Sequence, residues 1–163
     1  MTRERIIDSK IFSYTGLLNF QKLYSSIKEF WESKGFDCNE KSHEERVKDD
    51  GSRSIKLNWS CERKVTDYIK YIFEWTLEIE NMKLSDLKDT KLEYVENMKV
   101  VINGDIDVDY GKLWGDKPFN IFLRALFEKY LYDSELREYK KTLGKIGEEF
   151  LNLLKDHTAS YKI

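Results

Sequence analysis

The sequence predicts an α+β fold, a curved antiparallel sheet of four to five strands with helices packed on one face. Three observations predict it. From Asp67 to Met82 the chain alternates strictly, with Ile69, Tyr71, Phe73, Trp75, Leu77 and Ile79 on one side. Lys70, Glu74, Thr76, Glu78 and Glu80 fall on the other, with Ile72 as the one intruder. That is the signature of a strand with one buried and one wet face. Further alternating runs flank it at 54–64 and 92–110. The third observation is helical spacing, apolar residues at steps of three and four, near both ends of the chain.

The first strand is expected over Arg5–Tyr14, carrying Ile6, Ile7, Ile11 and Phe12. Thr15 offers an N-cap hydroxyl. Leu17, Phe20, Tyr24, Ile27 and Trp31 then mark an amphipathic helix, widened by Leu23 and Phe30, and Gly35 suits its left-handed end. A polar strand, Phe36–Arg46, leads to Asp50-Gly51, a hairpin signal. The partner strand, Ser54–Lys64, places Ile55, Leu57, Trp59 and Cys61 on one face. A turn centred on Asp50-Gly51 sets Glu40 opposite Cys61, Ser42 opposite Trp59 and Cys38 opposite Arg63. Glu40, Ser42, Glu44 and Arg46 then share the apolar face.

The apolar rows of the next two strands both fall on odd numbers. A loop with an odd number of residues, around Val65-Thr66-Asp67, is therefore required. Lys83–Lys91 reads as a polar connection. From Leu92 to Tyr110 the even positions Leu92, Tyr94, Met98, Val100, Ile102, Ile106, Val108 and Tyr110 are apolar. Asn103-Gly104 resembles a hairpin turn, but a turn there would place aspartates on the apolar face. One strand bending at Gly104 is expected instead.

Pro118, after Asp116, opens a helix with Phe119, Phe122, Leu123, Leu126, Phe127, Tyr130 and Leu131 on its apolar face. Asp133-Ser134 breaks the phase. A last helix carries Leu136, Tyr139, Leu143, Ile146, Phe150, Leu153 and His157, with Thr158–Ile163 fraying beyond it. Gly144 and Gly147 lie beside its seam and invite close approach of the sheet.

At 163 residues, with no linker, repeat or low-complexity tract, the chain is expected to form one domain, 1–163. Lysine and arginine number 28 against 30 acidic residues, a net charge of −2, so no basic excess points to nucleic acid. No apolar run resembles a signal peptide or a membrane span, and a soluble cytoplasmic protein is expected. In that setting Cys38 and Cys61 are expected to be free thiols.

Chemical motifs are few. Asp105, Asp107 and Asp109 form D-x-D-x-D, but Tyr110 stands where an EF-hand loop needs glycine, so a solvated strand face is expected and no metal site. His157 reads as a helix-terminal histidine favouring the dipole. Neither histidine has a partner at catalytic spacing, and no phosphate loop or nucleophile motif occurs, so no catalytic residue and no cofactor is assigned. Trp59, Arg63, Tyr71 and Trp75 are in phase. An arginine between aromatic walls would suit a small apolar or anionic ligand.

The element order resembles the helix-grip fold of small lipid- and hormone-binding domains, whose last helix covers a sheet. The runs Trp59–Tyr71 (WSCERKVTDYIKY), Asp109-Tyr110 and Pro118–Tyr130 (PFNIFLRALFEKY) resemble stretches of small archaeal proteins of unknown function. Neither resemblance implies functional residues. A non-catalytic binding or protein-interaction domain with a filled core is therefore expected, its partner another protein or a second copy. The alternative is a carrier or enzyme with a cavity between sheet and helices.

Overall fold

Five strands and three helices follow in the order β1 (Thr2–Leu18), α1 (Phe20–Ser33), β2 (Asp37–Val47), β3 (Arg53–Lys64), β4 (Ile69–Leu84), β5 (Glu93–Val108), α2 (Pro118–Leu126) and α3 (Asp133–Ala159). The computed structural model describes residues 2–84, 92–110, 117–127, 129 and 133–159. Most of the expected connection after Lys83, together with Asp116, Tyr130, Leu131 and the last four residues, lies outside them.

The strands form one antiparallel sheet in the order β1-β5-β4-β3-β2. β4 is the middle strand, as its aromatic alternation predicts. Its odd row from Ile69 to Ile79 is buried throughout, each residue at most 3% exposed. The phase changes only at Asn81, whose φ of 53° turns Met82 inward. β5 is a single strand through Gly104, paired with β4 on one side and β1 on the other. Tyr94 departs from the expected row. It is exposed, and Val95 is buried in its stead.

Gly104 serves contact more than bending. A Cβ there would lie 3.0 Å from both Leu143 and Phe73. β1 absorbs the irregularity opposite, with register shifts on both sides of Ile7 and Ser9 at φ 47°.

Asn19, not Thr15, caps α1, its side chain accepting from the Lys22 amide at 3.1 Å. Thr15 is still in β1 and donates to the Glu96 carbonyl. Gly35 ends the helix at φ 82°, as expected. α1 buries Leu23, Ile27 and Trp31. α3 buries Leu143, Ile146, Phe150 and Leu154. The two helices meet through Trp31 and Phe150, with ring centroids 5.2 Å apart, and Trp31 also meets Phe73 of the sheet at 4.9 Å. Thr158 does not fray. It is buried and bonds back to the Leu154 and Lys155 carbonyls.

The β3–β4 loop has the required odd length. Val65 and Ile69 are bonded across three residues, 66–68, and Arg63 faces Tyr71. The β2–β3 hairpin differs from expectation. Lys48 bonds Ser52 across a three-residue loop in which Gly51 takes φ 86°. This is a type I turn with a glycine bulge rather than a two-residue turn. A further shift between Glu40 and Ser42 leaves Lys41 unpaired. Glu40 therefore faces Trp59, while Ser42, Glu44 and Arg46 lie with Asn58, Lys56 and Ser54 on the outer face. There Asn58 links Ser42 and Thr76 through 2.6 Å bonds.

The two register changes set Cys38 opposite Cys61, and the two are joined by a disulfide. The expectation of free thiols is overturned.

Candidate functional site

Trp59 and Trp75 are directly opposed on β3 and β4, and their rings stack 5.8 Å apart at 8°. Side chains so placed on one sheet face contact directly. Arg63 and Tyr71 form another opposed pair four residues further along, roughly 13 Å away at 3.3 Å per residue. The four expected ligand residues thus divide into two pairs.

The second pair is structural. Arg63 donates from Nη1 to the Lys34 carbonyl at 3.1 Å, closing the C-terminus of α1, where a cation also meets the helix dipole. Arg63 is not among the described residues that line the cleft beside the tryptophans. Tyr71 donates its hydroxyl to the Tyr139 carbonyl of α3 at 2.6 Å. Burial pushes the Tyr71 phenol up to about 12, with Arg63 opposing.

The first pair floors a cleft of about 310 Å³ between α1 and the sheet. Steps of three and four along α1 bring Tyr24, Lys28 and Trp31 to one face, and all three line it. Glu32 stands at its rim. Where the chain leaves α1 at Gly35, Phe36, Asp37 and Cys38 complete the wall. Tyr24 meets Trp59 edge-on at 6.4 Å, and Phe36 meets Trp31 edge-on at 5.1 Å. Beneath this part of α1 the core is therefore not filled as the many large side chains lead one to expect.

The indole N–H groups of Trp31, Trp59 and Trp75 are shielded from solvent, and none has an acceptor among the described residues. An unanswered buried donor costs roughly 1–3 kcal/mol. Phenylalanine would supply similar packing without that cost. Charge lies at the rim, where Lys28, Glu32 and Asp37 are all exposed.

The three aspartates are not a solvated face. Asp105, Asp107 and Asp109 are each at most 3% exposed. β1 brings Arg5 Nε to 3.0 Å from Asp105 and Arg3 Nε to 3.4 Å from Asp107, and Arg124 of α2 approaches Asp109 at 3.9 Å. The bond to Asp105 raises the Arg5 pKa further above its ordinary value. Arginine fills the place a cation would take. Among the described residues no group of three or more His, Cys, Asp or Glu is placed to hold a metal ion.

His157 stands in the last turn of α3, where the dipole would favour its charged form. Burial, with Lys22 adding, lowers its pKa below the ordinary value, which favours the neutral ring.

Neither any family model nor any curated protein or solved structure matches the chain. The cleft geometry alone carries the functional reading. Sequence reasoning named Trp59 and Trp75 but missed Lys28, Glu32 and Asp37. The signal available was the four-residue spacing of Tyr24, Lys28 and Glu32 along α1.

Proposed function

We propose that this chain is a non-catalytic small-molecule-binding domain whose ligand sits in the tryptophan cleft beneath α1. The observation that carries the reading is an aromatic cleft of about 310 Å³ whose walls include Tyr24, Trp31, Phe36, Trp59 and Trp75. Its volume lies at the lower end of the roughly 300–1,000 Å³ typical of ligand pockets, which suits a small ligand more than a macromolecular surface.

The test is native mass spectrometry of gently purified protein, with titration by a solvatochromic apolar dye. One saturable site, lost in Trp59→Leu while circular dichroism stays unchanged, is expected. Absence of any saturable site in the folded protein overturns the reading.

A protein-interaction role is favoured by a different observation. α2 leaves Phe119, Ile121 and Phe122 more than half exposed, the opposite of the buried face its spacing predicts. Sedimentation of the wild type and of Phe119→Ser/Phe122→Ser tests self-association through that face. A concentration-dependent mass abolished by the double substitution would establish it.

A further inference from the structure

Resting on the cleft reading above, we infer that the ligand is a small organic cation, an alkylated or quaternary ammonium compound, and that the Lys28 ammonium stands in its place.

Lys28 is the one cation lining the cleft, and its Nζ lies 4.9 Å from the Tyr24 ring centroid and 5.8 Å from that of Trp59. These distances are within the roughly 6 Å over which a cation is held by the negative face of an aromatic ring. Glu32, four residues on and lining the same cleft, would be its ordinary ion-pair partner. No such pair forms. Among the described residues, Lys28 has no carboxylate within 4.0 Å, and neither Glu32 nor Asp37 has a cation that close. In this arrangement the ammonium lies against the rings rather than beside the carboxylate.

The lining charges are one ammonium against two carboxylates, a balance of −1, which favours a cationic guest. Perpendicular walls, Tyr24 against Trp59 at 63° and Trp31 against Phe36 at 81°, present ring faces from several directions. A tetrahedral alkylammonium makes full use of such walls and a flat ring does not. Its weakly hydrated charge also enters an apolar cleft at lower cost than the strongly hydrated lysine ammonium.

An anion is disfavoured on the same grounds. No arginine is among the described residues that line the cleft, and the rim carboxylates would repel an anion.

The test uses choline and its neutral isostere 3,3-dimethylbutan-1-ol, which keeps shape and hydroxyl and replaces the charged nitrogen by carbon. Tryptophan fluorescence follows both titrations in the wild type, in Lys28→Met and in Glu32→Gln/Asp37→Asn. Lys28, Glu32 and Asp37 are exposed, so the fold survives these changes. Saturable choline binding at least tenfold tighter than the isostere is expected. Lys28→Met should tighten choline several-fold, and Glu32→Gln/Asp37→Asn should weaken choline while leaving the isostere unchanged.

Equal or tighter binding of the isostere overturns the cation and leaves the cleft standing. So does failure of choline to bind wild type and Lys28→Met alike while an apolar dye still finds a site that Trp59→Leu removes. If neither choline nor dye saturates, the cleft reading falls, and the cation with it.

Discussion

Gly144 and Gly147 sit three residues apart on α3 and face opposite fates. A Cβ at Gly147 would lie 2.3 Å from Ile7 Cδ1, so α3 approaches β1 as closely as it does only because no side chain intervenes. Nothing stands within 4 Å of a Cβ at Gly144. Gly144→Ala should therefore stabilise the protein by about 0.5–1 kcal/mol, the helix-propensity gain. Gly147→Ala should destabilise it by roughly 1–3 kcal/mol, since Ile7 must move within a packed core. Urea titration of the two variants gives opposite shifts of midpoint. Tyr71 supplies a pH prediction at the same scale. Its phenol is pushed up to about 12 when folded, against the ordinary 10.0 of an unburied tyrosine, so the unfolded chain loses its proton first. The stabilisation this provides is complete below pH 10 and is lost as pH rises through 12. Alkaline melting curves should steepen in that window for the wild type and flatten for Tyr71→Phe.

At the scale of elements, β1 does more than close an edge of the sheet. Its register against β5 places Arg3 opposite Asp107 and Arg5 opposite Asp105, covering carboxylates that would otherwise be buried without a cation. Arg5→Ala should destabilise the protein, because it leaves the nearly inaccessible Asp105 carboxylate with the more distant Arg3, at 3.9 Å, as its cation among the described residues. In an Asp105→Asn background the same substitution should cost less, and a double-mutant cycle measures the difference. Equal costs in both backgrounds would show that the pair contributes nothing. The aspartates were legible as a row on one strand face, but their burial was not, because the arginines arrive from the far end of the chain. The continuity of β5 through Asn103-Gly104 was legible, since a turn there would reverse the side-chain phase. The β2–β3 register was not. Asp50-Gly51 serves a three-residue turn as well as a two-residue one, and no residue type announces that Lys41 is skipped. Those two shifts hid the disulfide.

Over the whole molecule, the five-stranded sheet and its two long helices followed from period-two and three-four spacing. The cleft needed the angle at which α1 crosses the sheet, which no local pattern encodes. Trp59 and Trp75 were visible because they share a strand-face phase. Lys28 and Glu32 were not, because on a helix alone they read as solvated charge. The disulfide closes a segment of 23 residues. By chain entropy, its reduction should lower stability by roughly 3 kcal/mol, read as a shift in denaturation midpoint on adding a dithiol. Cys38 lines the cleft, so reduction also frees one of its walls.

That cross-link lies at one end of a hairpin whose outer strand has no neighbour on its far side. Such a hairpin is fastened at both ends, by the 49–51 loop at one and by the sulfurs at the other. Without the cross-link only the Cys38 end is open to fraying. Amide hydrogen exchange of β2 beside Cys38 should therefore be slow in the oxidised protein and should quicken on reduction, while Arg46 and Val47 beside the loop change little.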